Sequence, residues 1–120
     1  MSILLFAIAL LHLGFMLAEL FPRSTPFALK KTLNKTPAAA ALDPAYHDLI
    51  ANVVRNAGIY NGIVAGGLFY AAAAGNSALD VARVLLIGAA AAGIFGTITL
   101  RSPLPAVQAL LALIGCYWLR

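Results

Sequence analysis

The chain alternates between long apolar runs and short polar breaks. "SILLFAIALL" opens it at residues 2–11, and the apolar character continues to about residue 21. A polar stretch with prolines at 22, 26 and 37 follows. Apolar residues then dominate about 50–74, 81–100 and 104–119. A helix that crosses a bilayer needs roughly 20 mostly apolar residues, and each run is close to that length. The runs are continuous and rich in Ala, Leu and Gly, without alternation, which excludes a transmembrane β-barrel. The predicted class is all-α: a polytopic membrane protein, a four-transmembrane-helix bundle forming a single domain over residues 1–120.

The polar breaks carry helix signals. Asp43-Pro44 sets a capping residue before a proline, so the second helix starts near residue 44. From there to Ala74 a helix reaches about 46 Å at ~1.5 Å per residue, more than a ~30 Å hydrocarbon core. Its first turns, "PAYHDLI", are therefore expected in the interface, with His47 and Asp48 solvated. Gly75-Asn76 ends this helix, Asp80 starts the third, and Ser102-Pro103 with Pro105 starts the fourth. Residues 22–43 read as a loop with one short interfacial turn around "PFALKKTL".

Composition fits this reading. The chain is 62% hydrophobic and 10% charged, where a soluble domain carries about 25% charged residues. The first run lacks a basic leader and a small-x-small cleavage site, so it reads as a retained helix rather than a signal peptide. One cysteine, Cys116, excludes an internal disulfide and reads as apolar filler. The net charge of +4 is read as topology, not nucleic-acid binding. Arg23, Lys30, Lys31, Lys35 and Arg101 fall on one side, against Arg83 and Arg120 on the other. Basic loops stay cytoplasmic, which puts both termini on the non-cytoplasmic side of a bacterial inner membrane. Tyr117 and Trp118 then lie at the outer interface.

Polar groups inside the spans are the candidate chemistry. A charge at the centre of a span costs about 2.5–3.5 kcal/mol on insertion scales, so such groups pair or line a cavity. His12 and Glu19 are seven residues apart and share one helix face. The assumed topology brings Asn52, Arg55, Asn56, Tyr60, Asn61, Thr97, Thr99 and Gln108 into the same cytoplasmic half. The outer half has almost none. A polar pocket of His12, Glu19, Asn56, Tyr60, Asn61 and Gln108 is expected. Asn56 and Asn61 differ by about 140° in helical phase, and Asn56 with Tyr60 is the preferred pair. Arg55 or Arg101 is the expected ion-pair partner of Glu19, and Thr97 and Thr99 are expected to bond their own backbone. Gly58, Gly62 and Gly66 form a stripe on the second helix, and Gly88, Ala92 and Gly96 one on the third. Packing of small residues holds membrane helices together, so these stripes are expected to meet, or to form a homodimer contact. No metal-ligand spacing, phosphate-binding glycine loop or Ser-His-Asp set occurs. No cofactor is predicted.

"HLGFMLAE" (12–19), "NAGIYNG" (56–62) and "GTITLRSPLPAVQAL" (96–110) together resemble a family. They are similar to the marks of the small bacterial four-helix integral membrane proteins grouped as domain of unknown function 1304. Those marks are a His-x-x-x-x-x-x-Glu element, an Asn-Gln-Gly-Leu-Tyr-Asn-Gly segment and a late Gly-x-x-Thr…Arg-Ser…Gln-Ala-Leu run. Ala57 stands where the family usually has glutamine, and if that glutamine carries chemistry this member lacks it. The resemblance implies fold and membrane location, and no activity.

The function expected is binding, with transformation open, of a small hydrophobic molecule in the polar pocket. Glu19 or His12 would exchange protons in any chemistry. The expected partners are the lipid bilayer, that ligand and, in one alternative, a second copy of the chain. One rival is a proton-coupled transporter resembling the small multidrug-resistance exporters, which also have one glutamate in helix 1. The apolar outer half and the strong charge bias oppose it. The other rival is a non-catalytic accessory or assembly subunit whose polar groups only join helices.

Overall fold

The computed structural model describes residues 2–21, 44–100 and 103–119, with side chains from residue 48 onward in the middle stretch. Arg23, Lys30, Lys31, Lys35, Arg101 and Arg120, which carry most of the charge bias, lie outside the described residues, as does the His47 side chain. The described residues are all-helical, with no strand among them. Helix α1 runs Ser2–Leu20, α2 Pro44–Ala74, α3 Leu79–Leu100 and α4 Pro103–Trp118, with a 3₁₀ turn at Gly75–Ala78 between α2 and α3. Two stretches, Ser2–Leu20 and Asp48–Leu100, are long and apolar enough to cross a membrane by length and composition, with mean hydropathies of 2.3 and 1.9. Helix α4 is a shorter apolar helix.

The break between α2 and α3 has a local cause. Gly75 has φ 62°, the left-handed region that costs other L-residues roughly 1–2 kcal/mol. Ser77 Oγ donates to Ala74 O at 2.9 Å and satisfies a carbonyl freed by the end of α2. Asp80 in the first turn of α3 complements the positive end of that helix.

The chain forms two compact units: residues 1–12 with 63–120, and residues 13–62. The larger has a core of small and aliphatic side chains, among them Leu5, Ile8, Ala9, Leu68, Ala82, Leu86, Ala89 and Ala112. Alanines and glycines bring its backbones close. A Cβ on Gly93 would lie 2.7 Å from both Ala109 N and Pro105 O, so α3 and α4 meet main chain to main chain there. Gly115 leaves room for Leu86 and Ile8. Phe6 and Phe69 pack edge to face with ring centroids 5.3 Å apart. At the end of α4, Leu119 O accepts hydrogen bonds from Arg83 Nε at 3.2 Å and Nη2 at 2.7 Å. Arg83 also forms an ion pair with Asp80 at 2.8 Å. One arginine thus satisfies a carbonyl left open just beyond the end of α4.

The two glycine stripes do not interlock as expected. Gly66 and Gly88 would meet nothing within 4 Å of a Cβ, and Ala92 is exposed. The buried face of α3 is Ala82, Leu86, Ala89, Ala90 and Gly93. Gly88 and Ala92 are each one residue, about 100° of helical phase, away from Ala89 and Gly93. Gly96 lies one turn beyond Gly93 and packs instead on Pro105 of α4, whose Cβ would be 3.1 Å away.

Candidate functional site

In the smaller unit, Gly58 and Gly62 stand one turn apart on α2 and form a notch. A Cβ on Gly58 would lie 3.1 Å from Glu19 Cβ and from Leu20 Cγ. One on Gly62 would lie 2.6 Å from Met16 Sδ. The missing side chains let the last turns of α1 lie directly on α2. That approach brings Glu19 within reach of Asn61, three residues after Gly58 and on the same face. Asn61 Nδ2 donates to Glu19 Oε2 at 2.7 Å, a half-buried contact. A hydrogen bond to a carboxylate is charge-assisted and about twice as strong as a neutral one.

The other expected partners lie elsewhere. Arg55 Nη1 donates to Asn52 Oδ1 at 2.9 Å, and no ion pair joins Arg55 to Glu19 among the described residues. Arg101 lies outside the described residues. Asn56 and Tyr60, the preferred pocket pair, are exposed, Tyr60 by 65%. The reason is the glycine notch. It selects the face of α2 that carries Asn61, and Asn56 is about 140° away from Asn61.

His12 and Gln108 belong to the larger unit and are its buried polar side chains, 1% and 9% exposed. Gln108 Nε2 donates to Ala89 O at 2.9 Å, which joins α4 to α3. Thr97 Oγ1 donates to Gly93 O at 2.7 Å and Thr99 Oγ1 to Phe95 O at 2.9 Å, each within its own helix as expected. An open apolar groove of about 330 Å³ on α3 and α4 has Ile94, Ile98, Leu110 and Leu113 among its lining residues, and none of the expected pocket residues. Among the described residues no three His, Cys, Asp or Glu side chains gather in a way that could hold a metal ion.

Two contributions were not anticipated. Met16 is the side chain that fills the Gly62 notch. Its signal is its spacing, three residues before Glu19. Arg83 joins two helices through Leu119 O. Its signal is weaker: the Asp80-x-x-Arg83 spacing implies the ion pair but not the contact to α4.

A family model described as "Protein of unknown function (DUF1304)" matches residues 6–119. No curated protein and no solved structure matches the chain.

Proposed function

We propose, for a chain that belongs to the DUF1304 family, a small integral membrane protein that binds a small hydrophobic molecule beside Glu19 and Asn61. In this reading α1 to α4 are four spanning helices in a bacterial inner membrane, with both termini on the non-cytoplasmic side. The break at Gly75 supports it, because it divides the long helical stretch 44–100 into two segments, each of which would cross once in this reading. The observation that carries the binding role is the 2.7 Å hydrogen bond from Asn61 to Glu19. A carboxylate kept at the end of an apolar helix, oriented by an amide on a second helix, is a fixed polar feature on an apolar surface. Such a feature orients a mostly apolar ligand. His12 is left out of the primary contact, since its burial belongs to the other unit.

The test is a thermal-shift screen of lipophilic metabolites against the full-length protein in a neutral detergent. At least one compound should raise the unfolding midpoint saturably. That shift should vanish in Glu19→Gln and in Asn61→Ala and persist in Asn56→Ala. Absence of any shift in the wild type, or shifts identical in Glu19→Gln, overturns the reading.

A second reading is favoured by one observation. Gln108 donates to the main chain of Ala89 and so acts as interhelical glue. If all the polar groups act in this way, the protein is an accessory or assembly subunit. Polar variants would then lower stability and alter no ligand response.

A further inference from the structure

We infer that the ligand at Glu19 carries an ammonium group on a hydrocarbon tail. This rests on the binding reading above and narrows it to one chemical class. Four observations on α1 and α2 carry it. Glu19 is the second-last residue of α1, so its carboxylate lies at the helix end, where lipid headgroups begin if α1 spans. The last turn of α1 contains no basic residue, while a helix C-terminus bears roughly half a negative charge from its open carbonyls. Carboxylate and helix end therefore favour a cation together. Among the described residues none supplies it, because Arg55 is turned to Asn52 and Asn61 contributes a neutral amide.

The fourth observation concerns exposed apolar surface in the same unit. Leu17 in the last turn of α1, Phe21 just after that helix, and Ile59 and Tyr60 on α2 are exposed apolar residues of the same unit as Glu19. They supply apolar surface for a tail, and two of them are aromatic. Aromatic faces attract quaternary and primary ammonium groups. An anionic amphiphile meets like charge at Glu19, and a neutral one leaves that charge without a counter-ion among the described residues. Two sources offer the same chemistry: a free long-chain amine, and a phospholipid with an ethanolamine or choline headgroup.

The experiment uses the full-length protein in a neutral maltoside detergent and three ten-carbon amphiphiles: decyltrimethylammonium, decanol and decyl sulfate. The ammonium should stabilise the wild type at concentrations about ten-fold lower than decanol does, a factor of the size one favourable interaction supplies. Glu19→Gln should remove that advantage and leave the decanol response. Glu19→Asp, which keeps the charge but shortens its reach, should show an intermediate advantage. It serves as the readout if Glu19→Gln fails to fold. Equal responses to ammonium and decanol in the wild type, or an ammonium advantage that survives Glu19→Gln, overturn the ammonium assignment and leave the binding reading standing. Saturable stabilisation by none of the three, together with failure of the metabolite screen, overturns the binding reading itself. Native mass spectrometry of protein released from vesicles of equal phosphatidylethanolamine and phosphatidylglycerol identifies the source. Preferential retention of phosphatidylethanolamine by the wild type but not by Glu19→Gln assigns a lipid, and an ammonium advantage without such retention assigns a free amine.

Discussion

Three polar side chains show how little of a residue's role lies in its identity. Asn56 and Asn61 are the same amide on the same helix, yet only Asn61 faces the glycine notch and reaches Glu19. Asn61→Ala should lower stability by about 1 kcal/mol, the usual net worth of an intramolecular hydrogen bond. Asn56→Ala should stay within about 0.5 kcal/mol, as exposed substitutions do. Urea or dodecyl-sulfate unfolding of the two variants side by side checks the difference. Equal losses would mean that the Asn61 contact adds nothing. Gln108 is the third case. It was legible as a group that needed a partner, because a buried amide in an apolar helix has no route to water. That the partner is a main-chain carbonyl on α3 was not legible, because every residue offers such an acceptor. Gln108→Leu should cost about 1 kcal/mol through the lost bond between α4 and α3, read by the same unfolding assay.

At the level of elements, glycine spacing announced close helix contacts but not their partners. The rule that small residues meet holds on α2 at Gly58 and Gly62, where the partner is α1, and on α3 at Gly93, where it is α4. Position in a four-residue repeat says that a stripe exists. It does not say which of several neighbouring helices fills it, since that depends on loop geometry and helix rotation. Helix ends were far more legible, because Pro44 and Gly75 act through local backbone chemistry. Gly93→Ala and Gly88→Ala separate the two kinds of glycine. The first drives a methyl into the main chain of Ala109 and Pro105 and should cost about 1–3 kcal/mol, the usual range for overpacking. The second enters open space and should gain up to about 1 kcal/mol from helix propensity. Thermal midpoints of the purified variants check both signs, and a tolerated Gly93→Ala would mean that α3 and α4 do not touch at that point. Gly75→Ala should lose about 1–2 kcal/mol, because the φ of 62° remains whatever space surrounds it.

For the molecule as a whole, the claim that matters most is that its solvent is a bilayer, and the chain contains its own probe. Trp118 is the single tryptophan. It is the last residue of α4 and is 67% exposed, beside an equally exposed Tyr117. An indole on a helix end that spans a membrane lies at the headgroup level, about 15 Å from the midplane of a ~30 Å core. A tryptophan in a soluble helical protein with this exposure would instead face water. The two cases differ in emission and in quenching by brominated lipids. Reconstituted in vesicles whose lipids carry bromine at known depths, the protein should emit below the wavelength of indole in water. Bromines near the headgroups should quench it most and bromines near the chain ends least. The 16-residue α4 makes this demanding. At ~1.5 Å per residue it covers only about 24 Å, so a spanning α4 would reach the interface only by thinning the bilayer or by drawing its termini inward. The hydrogen bonds from Arg83 to Leu119 O tie the end of α4 to α3 and leave it little freedom to do so alone. Arg83→Ala should therefore move the depth of greatest quenching, while Asn56→Ala, far along the chain on α2, should not. Emission as in water, or quenching indifferent to bromine depth, would remove the membrane from the account and with it the ligand reading at Glu19.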